Sequence, residues 1–363
     1  MLIEDIDLPN IKAQSASNYT KQVIKAMISK SKTIKINSTS QITHISLREQ
    51  VPISSLLTST SFVPDHIIKH IASESKFYVT HEYEYKGRRF RIIMVYDDEH
   101  VERKKGVIED MFKWLTMIID MGSLAHNCGI TTTIYCYLTP FKKELPQKRG
   151  EILSYDNANS AVTSSCSSSN EICIFREEEM FKVFIHETFH AFNLDFSLHM
   201  KGTHIQQMKT LFKIKSDFNI YETYAESWAE IINIVFLSGD YEIFNKIIQT
   251  EIAFSLHQMN TVLNYMGLDY SDIVSANAFH KYKEETNVFC YYVLKSIVLF
   301  YWSDFIEFCG GSFKYAKNVD EFTHFIREKY MDSEFMNAVD ASKMNTMNTV
   351  RKMNTMRMSL WEN

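Results

Sequence analysis

His186, Glu187 and His190 stand in the motif His186-Glu187-Thr188-Phe189-His190, two imidazoles four residues apart with a carboxyl beside the first. Residues four apart lie one above the other on an α-helix, so both rings project toward one point, as two ligands of a single metal ion must. Glu187 lies about 100° further round such a helix and reaches a water held on the same ion. The chemistry open to this trio is hydrolysis, in which the metal acidifies a water and polarises a carbonyl while a carboxylate takes up and returns the proton. A chance match to the pattern in a chain of this composition has a probability of roughly 0.03, so its surroundings must be weighed with it.

A catalytic zinc takes three protein ligands and keeps one open position. The third donor is sought in residues 221–230, Tyr-Glu-Thr-Tyr-Ala-Glu-Ser-Trp-Ala-Glu, which read as part of a long helix and carry Glu222, Glu226 and Glu230. With Glu222 placed at 0° of helical phase, the apolar side chains of this helix occupy an arc of about 200° to 340°. Glu222 borders that arc, Glu226 lies about 40° further out and Glu230 about 80°. Glu222 is therefore the expected ligand, and Glu226 the carboxylate expected to accept the outer N–H of a ligand histidine, although the two roles could be exchanged. Glu230 is expected to face solvent.

These groups need elements to hold them. Residues 171–175, Glu-Ile-Cys-Ile-Phe, read as a short buried strand, and Glu177, Glu178 and Glu179 put carboxylates where a helix N-terminus favours negative charge. The motif thus falls on a helix that follows a strand at once. Further upstream, residues 77–85 alternate, Lys86-Gly87 can turn and residues 88–96 return as the second arm of a hairpin. His81 on the first arm has no partner at metal spacing and reads as a strand-surface residue. Residues 101–125 show helical spacing, residues 130–138 are β-branched and aromatic, and residues 159–164, Asn-Ser-Ala-Val-Thr-Ser, form a short strand before a serine-rich turn.

His186-Glu187-x-x-His190 followed by a helix with Glu222-x-x-Ala225-Glu226 resembles the zincin metallopeptidases with a glutamate third ligand, the group of thermolysin and anthrax lethal factor. The resemblance implies an α+β, zincin-like catalytic domain followed by a mainly helical C-terminal region, with one Zn²⁺ per chain on His186, His190 and Glu222. It implies Glu187 as general base and Glu226 as the acidic partner of a ligand histidine. An edge strand of Asn159, Ser160, Ala161 and Val162 would bind an extended peptide or protein substrate. The group also uses a Tyr or His from its C-terminal half to stabilise the oxyanion, a role for which His280, Tyr282 and Tyr224 stay open. The wording around the motif is also similar to uncharacterised zincin-like proteins of large DNA viruses.

Composition sets the limits of these readings. With hydrophobic residues at 45% and charged residues at 23% over 363 residues, the chain is expected to be globular and long enough for more than one packed unit. Accessory residues 1–75, catalytic residues 76–240, helical residues 241–340 that complete the cleft, and a low-complexity tail at 341–363 form the expected division. The tail repeats Met-Asn-Thr and reads as an expanded linker. A formal charge of −5 without a basic stripe argues against nucleic acid as partner. The apolar run at residues 288–302 is shorter than a span of ~20 residues and holds Lys295, so it reads as a buried helix and no membrane span is expected. Lys142, Lys143, Lys148 and Arg149 read as a solvated loop. The acidic N-terminus lacks a signal-like pattern and the six cysteines suggest no disulfide framework, so a cytoplasmic setting is expected, in host cytoplasm or virion if the protein is viral. The leading expectation is a zinc-dependent metallopeptidase. The alternative is a catalytically silent binding or structural factor on the same fold.

Overall fold

The computed structural model describes the chain apart from residues 1–7, 9, 10, 12, 13, 45–49, 99–103, 126, 276, 277, 316, 350–353 and 363. Its strands are β1 (Thr39–His44), β2 (Phe77–Tyr85), β3 (Arg88–Tyr96), β4 (Thr131–Tyr137), β5 (Ala161–Thr163) and β6 (Ser169–Ile174). They form one mixed sheet in the order β1-β2-β3-β4-β6-β5, which with the helices around it makes the protein α+β. β2 and β3 are antiparallel across a two-residue turn in which Lys86 and Gly87 both have positive φ, 47° and 74°. A turn of that kind matches the right-handed twist of its flanking strands. β3, β4 and β6 run parallel, and the short β5 pairs antiparallel with β6 at one edge of the sheet.

The C-terminal halves of the parallel strands are apolar on both faces because both are covered there. On β3, Ile92 and Met94 join the main core, while Ile93 and Val95 pack with Tyr137, Cys173 and Phe175 under a second layer. That second layer consists of Val51, Leu57, Val63, Ile67 and Ile71. Helix Asn18–Thr33 buries Ile24, Met27 and Ile28 in the main core, and β1 extends the sheet beyond β2. Much of the stretch before residue 76, expected to be accessory, is thus woven into both layers.

On the inner face lie helix Lys105–Met121, the motif helix Met180–Ala191 and the glutamate helix Ile220–Leu237. The long helix Tyr241–Tyr265 starts at Asp240, whose side chain accepts from Ile243 N at 2.9 Å. The apolar run is a buried helix, as expected. Its first part, Phe289–Leu294, is wound as a π-helix, Lys295–Phe300 continues as α-helix, and the chain then bends by 89° into Trp302–Phe308. No single helix among the described residues is long and apolar enough to cross a membrane.

Three expectations need correction. The tail is not an expanded linker throughout: Ser333–Thr349 is helical, and residues 354–362 return to the core, burying Met356, Met358 and Leu360. Tyr292 and Lys295 donate to the carbonyls of Met356 and Met358, so backbone as well as side chains tie this strap down. Lys143 does not sit in a solvated loop; it is fully buried and ion-paired with Glu179. Cys128 and Cys166 are joined in a disulfide, whereas Cys136, Cys173, Cys290 and Cys309 are free thiols. The cysteine count alone could not reveal that pair, because the fold brings the loop before β4 beside the β5–β6 turn.

Candidate metal centre

The motif helix is buried almost all round, so each polar side chain on it must find a partner inside the protein. Thr188 Oγ1 donates to Ile185 O and accepts from Trp114 Nε1 at 2.9 Å. His186 and His190, one turn apart, present their Nε2 atoms to each other at 3.1 Å. The glutamate helix packs alongside and brings Glu222 Oε2 to 3.1 Å from His186 Nε2 and 3.3 Å from His190 Nε2. Three donor atoms at 2.0–2.1 Å from one tetrahedral ion lie about 3.3 Å apart. The triangle formed by these atoms therefore has the dimensions of one face of a tetrahedral metal site, and among the described residues it is the group able to hold a metal ion.

The outer nitrogens are also engaged. His186 Nδ1 lies 2.9 Å from Glu226 Oε2, and His190 Nδ1 contacts Asp195 Oδ2. An ionised carboxylate only accepts, so each ring donates its outer N–H, and loss of the proton on Nε2 would leave a lone pair there for a metal ion. Asp195 reaches His190 because the chain reverses after the helix through Asn193, at φ 52°. Glu222 is held from the other side by Asn287 Nδ2 and Tyr291 Oη, each at 3.2 Å. Tyr291 belongs to the π-helical turn and meets the His186 ring edge-on at 5.9 Å.

The charges around the triangle favour a cation. Burial would raise the Glu222 carboxyl, but the facing imidazoles of His190 and His186 outweigh it and hold the group well below the usual carboxylate range. Burial would lower His186, but its hydrogen bonds to Glu222 and Glu226 raise it to about 9. His190 is likewise raised, by Glu222 and Asp195 against burial. Glu187, for which burial is the largest influence, is pushed upward from its ordinary value.

The triangle opens into a cavity of about 750 Å³. Glu187, His186, His190 and Glu222 line it, as do Ala161, Val162 and Thr163 of β5 and Tyr282, Glu284, Asn287 and Tyr291. The exposed side chains of Phe62 and Ile152 line it as well. Arg176 fixes the approach to β5 by donating to the carbonyls of Asn159, Lys142 and Asp156 at 3.0, 2.8 and 2.7 Å. Phe175 N donates to Ser160 O and Ser164 N to Glu171 O, so Ser160, Val162 and Ser164 turn their backbone groups toward β6. In an antiparallel pair that orientation alternates, which leaves Ala161 and Thr163 with N–H and C=O directed outward.

The fold thus brings together His186, Glu187, His190 and Glu222, sets Glu226 on His186, and places β5 along the same cavity. Glu230 does not face solvent: it is fully buried and 3.0 Å from Lys295, the ion pair that a buried carboxylate requires. Of the expected edge residues, Ala161 offers free backbone groups, while Asn159 uses Oδ1 to accept from Thr286 Oγ1 at 2.9 Å. Among the three residues left open as oxyanion donors, Tyr224 donates to Phe313 O at 2.8 Å and lies outside the cavity lining. His280 is exposed and also outside it. Tyr282 lines the cavity, but its hydroxyl donates to Glu284 Oε2 at 2.9 Å. Sequence reasoning missed Tyr291, Asn287 and Asp195. Only Asp195 left a legible signal, a carboxylate just past the end of the motif helix.

Comparison with protein-family models, curated proteins and solved structures returns no match.

Proposed function

We propose that the protein is a zinc metallopeptidase of the zincin type that hydrolyses peptide bonds in an extended substrate. The observation that carries this reading is the Nε2, Nε2, Oε2 triangle facing a cavity that also holds Glu187 and the free edge of β5. Two imidazoles and one carboxylate suit zinc better than calcium or magnesium, which favour all-oxygen sets. His186, His190 and Glu222 would hold the ion. When bound, zinc supplies a Lewis acid that acidifies a water and polarises the scissile carbonyl.

The chain's own groups do the rest. A peptide pairing with the outward N–H and C=O groups of Ala161 and Thr163 lies extended along the cavity. Glu187 takes a proton from the attacking water and hands it to the leaving amine, and its burial strengthens it as a base. The Tyr291 hydroxyl, which donates to the Glu222 oxygen of the triangle, is placed to turn to the carbonyl oxygen as charge develops there.

The test joins zinc analysis to cleavage of a broad peptide library. About one zinc per chain is expected, with cleavage abolished by a chelator. Glu187→Gln should keep zinc and fold and lose cleavage by roughly 10²–10⁴-fold, because it cannot accept the proton. Cleavage by Glu187→Gln at the wild-type rate would remove the proposed base. Zinc binding with peptide capture and no cleavage would favour a binding protein instead.

A further inference from the structure

Beneath the metal centre lies a layer of buried charge that the reaction does not use. Lys182 is one turn before His186 on the motif helix, and its ammonium lies 2.5 Å from Glu226 Oε1, with 1% and 2% of the two side chains exposed. Glu226 Oε2, the other oxygen of the same carboxylate, is the acceptor for His186 Nδ1. Lys182 is also 4.0 Å from Glu179 Oε1, which accepts Met358 N at 3.0 Å and Ser359 N at 2.5 Å from the C-terminal strap. On the far side, Lys295 stands 4.0 Å from Glu226 Oε1, 3.0 Å from Glu230 and 2.6 Å from Met358 O.

Burying charges is costly, and a hydrophobic set of the same shape would often be as stable, so stability alone gives this layer no reason to exist. Geometry gives one. Glu222 and Glu226 are one turn apart on one helix and both face His186, so two carboxylates crowd one imidazole. An ammonium on Glu226 Oε1 offsets that repulsion and fixes the rotation of the carboxylate, so that Oε2 meets the outer N–H of His186 and Nε2 faces the triangle.

We infer that Lys182 is a positioning residue of the metal centre, acting through Glu226 on His186; the inference rests on the zinc reading above. The strap then belongs to the same assembly, since its backbone holds Glu179 and Lys295 on either side of the Lys182–Glu226 pair.

A double-mutant cycle on the full chain decides it, read as zinc dissociation constants from chelator competition and as melting of the metal-free protein. Lys182→Met should weaken zinc binding by about 10–100-fold, the usual effect of losing a partner behind a ligand. Glu226→Gln should weaken it similarly, and the double variant should bind no more weakly than Glu226→Gln alone. If Lys182→Met does not fold, Lys182→Gln, which can still donate a hydrogen bond toward Glu226 Oε1 but carries no charge, is read in its place: weakened zinc binding in it supports the inference, and wild-type zinc affinity in it overturns the inference. Wild-type zinc affinity in Lys182→Met, with only its melting lowered, would make Lys182 a structural residue and overturn the inference. Losses that add in the double variant would do the same. A wild-type protein without zinc affinity overturns this inference and the peptidase reading together, whereas zinc binding and cleavage with an indifferent Lys182 overturn this one alone.

Discussion

Glu222 and Glu226 differ by one helical turn, and that turn separates a group that could bind a metal from one that would aim a ligand histidine at it. Both carboxyls lie against His186, but Glu222 meets the inner nitrogen and Glu226 the outer one. The same economy of reach singles out Tyr291, whose hydroxyl already touches the Glu222 oxygen shared by both rings. Tyr291→Phe deletes that hydroxyl and keeps the ring. Its expected effect is a fall in kcat of roughly 10²–10³-fold, typical of a lost oxyanion donor, with zinc content unchanged. Tyr282→Phe, whose hydroxyl is committed to Glu284, serves as the control and should stay near the wild-type rate. Equal rates in all three proteins would move the oxyanion donor elsewhere.

At the scale of elements, two departures from regularity build the site. The π-helical turn Phe289–Leu294 has i→i+5 bonding, which shifts the phase of the helix and lets Tyr291 face the cavity within an otherwise buried apolar run. The strap of residues 354–362 is the other. Its side chains Met356 and Met358 are 1% and 5% exposed, and Gln258 donates to the carbonyls of Thr355 and Arg357. Met356→Ala should therefore cost about 2–5 kcal/mol, the range for truncating a buried methionine, in urea unfolding followed by tryptophan fluorescence. An unchanged midpoint would mean that the strap is not seated in solution.

The whole molecule should carry a pH signature from burial. His257, on helix Tyr241–Tyr265, is 1% exposed, and burial lowers its pKa from 6.5 to about 4. The unfolded chain, with an ordinary imidazole, binds the proton more readily than the folded one between those values. Stability is therefore full above about pH 6.5 and declines as pH falls toward 4, by about 3 kcal/mol from this group. His257→Gln removes the titrating ring. Measured as unfolding free energy against pH, the variant should lose that part of the slope and leave the contributions of other groups in place. Parallel curves for wild type and variant would show that the ring is protonated in the folded protein.

The local features were legible in the sequence. The motif spacing placed His186 and His190 on one helical face, and the β2–β3 hairpin followed from alternation and the Lys86-Gly87 turn. Each of these depends on neighbours within a turn or two, where backbone geometry alone decides which side chains meet. Tertiary structure decided the rest. Glu230 and Lys143 have surface-type side chains and are buried because Lys295 and Glu179, distant in sequence, neutralise them. Tyr291 was hidden by a π-turn that no period of 3.6 describes. The Met-Asn-Thr tail carries a linker's composition, yet its last residues pack because carboxylates and carbonyl acceptors more than a hundred residues upstream await their N–H groups, as Glu179 does for Met358 and Ser359. Periodicity and propensity report on the chain's neighbours along its length, whereas burial of charge is settled by partners that only the folded chain brings within hydrogen-bonding distance.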